Sequence, residues 1–351
     1  MTPRERALAA FRNSDVDRVP FTVYSGLVAP DDDVHGLLGD RITFLQWASV
    51  HRTEYRRVTF ASETFAAGGE ERRRDTYQTP VGSISRTYRF DPTYHSLWAV
   101  DSYIKKPEDW DVLRFIYEDT VYREGYDQFL EQRAKSPQAV LMAAMGRTPF
   151  QSLCYEWAGV ERVGIDFYDC PDKVLPLLDL MLARQNELDR IYAASPAELI
   201  DFPDNITAIV IGRERFARYC LPRYRNLAQL AQGTGKILVA HMDGMLKPLA
   251  DLIRDCALTG LEAFTPVPDG DVSVAEARRL WPAKRLSINF PSSVHLAAAD
   301  AVYRQARIIL DEASPVRGFI VGVTENVPSD CWRRSFAAID EAITDFHRQL
   351  H

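Results

Sequence analysis

The chain has 351 residues, 46% hydrophobic and 26% charged, an ordinary globular composition with room for one large domain or two small ones. A formal net charge of −7 argues against a nucleic-acid footprint, and no apolar stretch approaches the roughly 18–20 residues of a membrane span. The opening "MTPRERALAAF" reads as a charged helix start rather than a signal peptide, and five scattered cysteines (154, 170, 220, 256, 331) without CxxC spacing read as reduced thiols in the cytoplasm.

In chain order, short runs rich in Val, Ile and Phe predict strands at "VPFTVYSG" (19–26), "YRRVTFA" (55–61), "AVLMAAMG" (139–146) and "AELIDFPD" (197–204). Four more follow at "KILVAHMD" (236–243), "LEAFTPV" (261–267), "RLSINF" (285–290) and "GFIVGVTE" (318–325). Near-continuous apolar runs suit parallel strands covered on both faces. Helical patterns such as "CPDKVLPLLDLMLARQNELDRIYAA" and "SVAEARRLW" lie between them. This alternation predicts an α/β fold, a closed (β/α)8 TIM barrel, as one domain over residues 1–351. An open doubly wound sheet is the alternative, but no GxGxxG follows the first strand. The alternating segment "RRRDTYQTPVGSISRTYRF" (72–90) predicts a β-hairpin inserted between the second and third strands, with "ERRRD" (71–75) as its solvated edge or a docking patch for an acidic partner.

In such a barrel the active site lies at the C-terminal strand ends. Those ends carry Tyr24 and Ser25, Gly146 and Arg147, Asp204 and Asn205, His241 and Asp243, Thr265, Asn289, and Thr324-Glu325-Asn326. Asp and Asn in these places are good helix N-caps, which explains several of them singly. That reading accounts less well for His241 and Glu325 reaching the same rim, because each is costly to desolvate without a partner. His35 and His295, in loop or helix-start contexts, read as solvated or capping.

"RERALAAFRNSDVDRVP", "TPVGSISR", "YIKKPEDWDVL", "GKILVAHMDG" and "VTENVP" carry a resemblance over essentially the whole chain. In these motifs and their order it resembles the uroporphyrinogen decarboxylase superfamily, which implies a (β/α)8 barrel. The decarboxylases of that superfamily have an arginine-rich stretch like "RQAGRY". Here "FTVYSGLVAPDDD" stands in its place, with no arginine and three aspartates, so the clamp wanted for an acidic tetrapyrrole is missing. The resemblance is closest to the cobalamin-dependent methyltransferase branch, whose members exchange methyl groups with a separate corrinoid protein. Some of that branch hold zinc through His-x-Cys and a later Cys, where this chain has His241-Met-Asp243 and Glu325. O-demethylase members have the spacing Glu-x14-Glu-x20-His, which falls here on Asn205, Cys220 and His241.

The resemblance therefore implies a metal site of His241, Cys220 and Glu325, most simply zinc. A histidine nitrogen, a thiolate and a carboxylate can form a three-ligand catalytic site with one open position. Cys220 as a small buried hydrophobe, and Glu325 as an acid bonded to a neighbouring Arg or amide, are the alternatives. Asp243 would act with His241 in catalysis, as a ligand, an orienting group or a substrate contact, and Tyr24, Asn205 and Asn289 would line the substrate site. The expected activity is transfer of a methyl group between a small donor, such as a methyl ether, and a corrinoid protein carrying the cobalamin. A decarboxylase or lyase acting on a small carboxylate, and a non-catalytic barrel binding protein, are the alternative readings. A homodimer is the default assembly.

Overall fold

A computed structural model describes residues 1–27, 33–92 and 96–350. Residues 28–32 of the stretch that lacks the arginine motif lie outside the described residues. Thr2 opens the first helix, Pro3–Phe11, with a capping box: its side chain accepts from the Glu5 amide while Glu5 reaches back to the Thr2 amide. The helix buries Ala7, Leu8, Ala10 and Phe11 in one cluster with Leu45, Val140, Met142, Leu199, Ile237, Val239 and Ile320. These residues belong to barrel strands, so the helix plugs the barrel interior.

Eight parallel strands form the closed barrel. We number them β1 Phe21–Tyr24, β2 Ile42–Ala48, β3 Val140–Ala144, β4 Leu199–Phe202, β5 Ile237–His241, β6 Gly260–Phe264, β7 Arg285–Asn289 and β8 Phe319–Val323. β1 pairs with β8 on one side (Phe21 with Val321) and β2 on the other (Phe21 with Ile42), which closes the ring. Along β5, Ile237 and Val239 join the interior cluster, while Leu238 and Ala240 join the larger cluster that includes helix residues. This is the period-two alternation of a strand covered on both faces.

Seven of the strands lie where the sequence pattern places them; the second does not. "YRRVTFA" (55–61) runs from the end of one insertion strand, His51–Tyr55, into another, Thr59–Ala67. The barrel strand is instead "ITFLQWA" at Ile42–Ala48, mostly buried where Thr59–Ala67 is mostly exposed. Both runs have β-forming composition, and composition does not tell a barrel strand from a strand of an appended sheet.

The hairpin is present: Glu70–Thr79 pairs antiparallel with Gly82–Asp91, Thr79 opposite Gly82. It forms the middle of a four-stranded sheet completed by Thr59–Ala67 and Ser96–Ala99. "ERRRD" therefore lies on an inner strand rather than at an edge, and Asp75 is buried, accepting from Ser62 Oγ at 2.7 Å and Arg73 Nη2 at 2.9 Å. A two-stranded sheet, His51–Tyr55 with Thr120–Glu124, joins the insertion to the barrel side. Among the described residues no helix is long and apolar enough to cross a membrane.

His295 departs from the solvated or capping reading. It is 1% exposed, between the rings of Phe290 and Phe336, with Nδ1 2.6 Å from Ser335 Oγ. Burial lowers its pKa to about 4 and does the same for His51. Both groups have folded pKa values below the unfolded value of about 6.5, so their stabilisation is complete above that pH and is lost as pH falls towards 4. Each should contribute a slope of about 1.4 kcal/mol per pH unit in that window. Denaturant unfolding at pH 7 and pH 5 should show this loss, and His295→Gln should flatten the slope. Phe11→Ala, which empties the centre of the barrel plug, should cost about 3–5 kcal/mol in the same measurement at pH 7.

Candidate metal centre

His241 ends β5, Asp243 follows two residues later, and Glu325 lies two residues beyond β8. The barrel places β5 and β8 on opposite arcs, with β6 and β7 between them on one side. Their C-terminal ends nonetheless face one mouth. There His241, Asp243 and Glu325 each offer a ligand atom, all within 4.8 Å of one another. His241 is buried, Asp243 half-buried and Glu325 reached by solvent.

The inner side of this triad is a chain of buried polar groups. His241 Nδ1 lies 3.0 Å from Glu262 Oε2 and 3.3 Å from Tyr24 Oη. Glu262 is fully buried on β6, and Asp201, fully buried on β4, is coupled electrostatically to both Glu262 and His241. His241 Nε2 has no hydrogen-bond partner; Asp243 Oδ2 stands 3.5 Å away, a charge contact too long for a good hydrogen bond. The side chain thus points one nitrogen at a carboxylate that holds it and the other at a pair of acids.

Local backbone helps to aim these groups. Between β6 and β7 the register advances three residues from Leu261 to Phe264 against two from Leu286 to Ile288, the signature of a bulge. Ala263 in this bulge has φ +55°, a strained position for a residue with a Cβ. Bulges of this kind re-aim side chains beside active sites, and Glu262 is the residue next to it.

The electrostatics follow from burial and crowding. Burial by itself would lower the His241 pKa, but the nearby Asp243 and the hydrogen-bonded Glu262 overcome it and raise the value well above normal. Asp201 is raised well above the carboxylate range, first by burial and then by Glu262; neither of its oxygens has a hydrogen-bond partner. Glu325 is raised by desolvation, against the pull of His241, with Asp243 and Glu262 pushing it further up. Burial, then Glu262, raises Tyr24 well above its usual value, so it is a neutral phenol.

The remaining expected site residues are distributed as follows. Cys220 is not part of the triad: its thiol is fully buried on a helical turn, Phe216–Cys220, 3.2 Å from Thr148 Oγ1. Burial raises its pKa well above normal, and it behaves as a packed thiol. The preserved sequence spacing to His241 does not bring the two together, and Asp243 takes the third position. Asn205, at φ +50°, accepts a hydrogen bond from Arg147 Nη2 at 2.9 Å. Its neighbour Ile206 donates its amide to the His241 carbonyl at 3.1 Å. Asn289 is 2% exposed; its Oδ1 accepts from the Thr324 amide at 2.9 Å and its Nδ2 donates to Thr265 Oγ1 at 3.4 Å, tying strand ends together. Asp204 is also structural, accepting from the Thr148 amide and Tyr224 hydroxyl, each at 2.6 Å.

Sequence reasoning missed Glu262 and Asp201. The signal was available: each is an acid inside an otherwise apolar strand run, "GLEAF" and "LIDF", the same anomaly that singles out His241.

No family model and no curated protein matches the chain. Among solved structures it is similar to a methyltransferase from Methanosarcina mazei at 14% identity and a TM-score of 0.57, the match covering 99% of this chain and 99% of that one. At that identity the likeness establishes a shared barrel. A second match, MenC from Desulfotalea psychrophila LSv54, has 12% identity over 85% of this chain and 92% of that one, with a TM-score of 0.29; nothing is built on it.

Asp201 is buried without hydrogen-bond partners, and burial and Glu262 raise its pKa, which favours its neutral form. Asp201→Asn should therefore change unfolding stability by less than about 1 kcal/mol, since no buried charge is lost. Glu262→Gln should be destabilising by about 1–3 kcal/mol, because it weakens a charge-assisted hydrogen bond to His241. Thermal and denaturant unfolding of the two variants compare them directly.

Proposed function

We propose that the protein is a metal-assisted methyltransferase that moves a methyl group between a small donor, such as a methyl ether, and a separate corrinoid protein in the cytoplasm. The observation that carries this reading is the His241–Asp243–Glu325 triad at the C-terminal mouth of the barrel. The methyltransferase likeness of the whole chain supports it.

The donor set fits a divalent metal. Imidazole nitrogen and carboxylate oxygen are both zinc ligand types, and three protein ligands leave a fourth position for substrate. His241 Nε2, buried and without a hydrogen-bond partner, faces this set. With Cys220 elsewhere, the ligands are nitrogen and oxygen only, a harder set than a site containing thiolate. Zinc bound there would supply Lewis acidity towards the donor's heteroatom, or would hold a thiol as thiolate.

The chain's own groups do the positioning. Glu262 accepts the Nδ1 proton of His241, which fixes the tautomer and leaves Nε2 for the ligand role. A metal at Nε2 would compete with protonation of that nitrogen, which the neighbouring carboxylates favour. Tyr24, as a neutral phenol beside Nδ1, closes the inner wall of the site. The corrinoid would be brought by its own protein docking over the mouth, so no cobalamin-binding segment is required in this chain.

Protein purified without chelator should carry zinc near one equivalent. His241→Ala and Asp243→Ala should lose it, Cys220→Ala should keep it, and Glu262→Gln should weaken it about 10–100-fold. Incubated with a reduced corrinoid protein and a panel of methyl ethers, wild type should form methylcobalamin and the zinc-free variants should not. Absence of stoichiometric metal sinks the metal assignment. Release of CO2 from a carboxylate substrate without methylcobalamin formation sinks the methyl-transfer reading.

A further inference from the structure

The insertion's four-stranded sheet has two very different edges. One is Ser96–Ala99, four residues long. The other is Thr59–Ala67, "TFASETFAA", nine residues paired with Glu70–Thr79 on one side. Among the described residues no strand pairs with its other side, and seven of the nine residues are exposed. Natural sheets blunt their edges with short strands, lysines, prolines or bulges. The short edge uses the first of these. The long edge uses none: it contains no Lys, Arg or Pro, and its register runs unbroken from Thr59 to Ala67. Its single charge, Glu63, is matched inside the sheet by Arg74 at 3.3 Å.

The hairpin turn fixes which backbone groups face outwards. Ala67 and Glu70 flank the two-residue turn Gly68–Gly69, whose φ values of +63° and +81° fit type I′. Such a turn is closed by a hydrogen-bonded pair, here Ala67 with Glu70, and these pairs alternate along an antiparallel ladder. The odd-numbered residues therefore bond Glu70–Thr79. Phe60, Ser62, Thr64 and Ala66 direct their N–H and C=O groups away from the sheet.

This strand is close to being its own complement. Set antiparallel to a second copy with Glu63 on the two-fold axis, it places Phe60 opposite Ala66, Ala61 opposite Phe65 and Ser62 opposite Thr64. Each ring lies beside an alanine that leaves it room, and each hydroxyl faces another, a favourable cross-strand pair. Outward-facing residues also meet outward-facing ones. A slide of one residue would break that match, and a slide of two would shorten the overlap. The one unfavourable pair is Glu63 with its own copy, and an Arg74 on either side neutralises the row.

We propose that Thr59–Ala67 pairs with the same strand of a second copy about this axis, joining two insertions into one continuous sheet. The contact is isologous and closes at the dimer. It covers the long free edge and shelters Phe60, which is 47% exposed. The inference stands independently of the metal and methyl-transfer readings.

Sedimentation of the full-length protein across a dilution series should show a monomer–dimer equilibrium. Thr64→Pro, which removes an outward amide from each copy and no bond within the sheet, should weaken the dimer at least about tenfold. Glu63→Thr, which removes the like charges at the axis, should tighten it about two- to fivefold. Glu63→Cys should cross-link two copies on mild oxidation, because opposed residues at this non-hydrogen-bonded position have Cα atoms about 4.5 Å apart, within disulfide range. Thr59→Cys, opposite Ala67, should not. If Thr64→Pro does not fold, the two cysteine variants decide. A protein that stays monomeric up to about 0.1 mM overturns the inference. So does a dimer that Thr64→Pro leaves intact, or one in which Thr59→Cys cross-links as readily as Glu63→Cys.

Discussion

Everything at the mouth of this protein depends on the parallel pairing of β1 with β8, which joins residues 21–23 to residues 321–323. That contact turns a sheet into a ring. Without it Glu325 would sit at one free edge and Tyr24 at the opposite one; with it, both face His241 across a shared interior. A closed barrel has no exposed sheet edges. It also forces strand ends distant in sequence into a single rim, which is why one fold can collect catalytic groups from many loops.

The second constraint is the placing of charge in a dry interior. Glu262, Asp201 and His241 occupy inward positions where most strand residues are apolar. Such groups are tolerated only if they neutralise or pair, and the structure uses both routes. Burial and Glu262 favour the protonated form of Asp201, while His241 bonds Glu262 on one nitrogen and faces Asp243 with the other. Apolar residues in these places would make a more stable barrel with no site. The bulge at Ala263 is the accompanying backbone strain, and functional sites are where such strain is retained.

The insertion adds a second layer of structure to one flank of the barrel. Its four-stranded sheet packs Tyr77 against Trp157 and donates from Arg86 to the Tyr155 and Glu156 carbonyls, while the two-stranded sheet and the helix Asp109–Asp119 lean against the barrel side. Arg147 bonds both Glu156 and Asn205, whose neighbour Ile206 donates its amide to the His241 carbonyl.

Much of this was legible in the sequence. Strand–helix alternation specified a closed parallel barrel because hydrophobic period is a local property, and the hairpin at 72–90 was equally local. His241 and Glu325 were legible because polar groups terminating apolar runs are physically conspicuous. The second strand was not, because "YRRVTFA" and "ITFLQWA" have similar propensities and only packing against β1 and β3 distinguishes them. Cys220 illustrates the same boundary at the site: linear spacing to His241 says nothing about which way a thiol points once a helical turn packs it against Thr148. The grouping of Asp243, rather than Cys220, with His241 and Glu325 was decided by tertiary structure, because which side chains meet depends on distances across the barrel that no local pattern encodes.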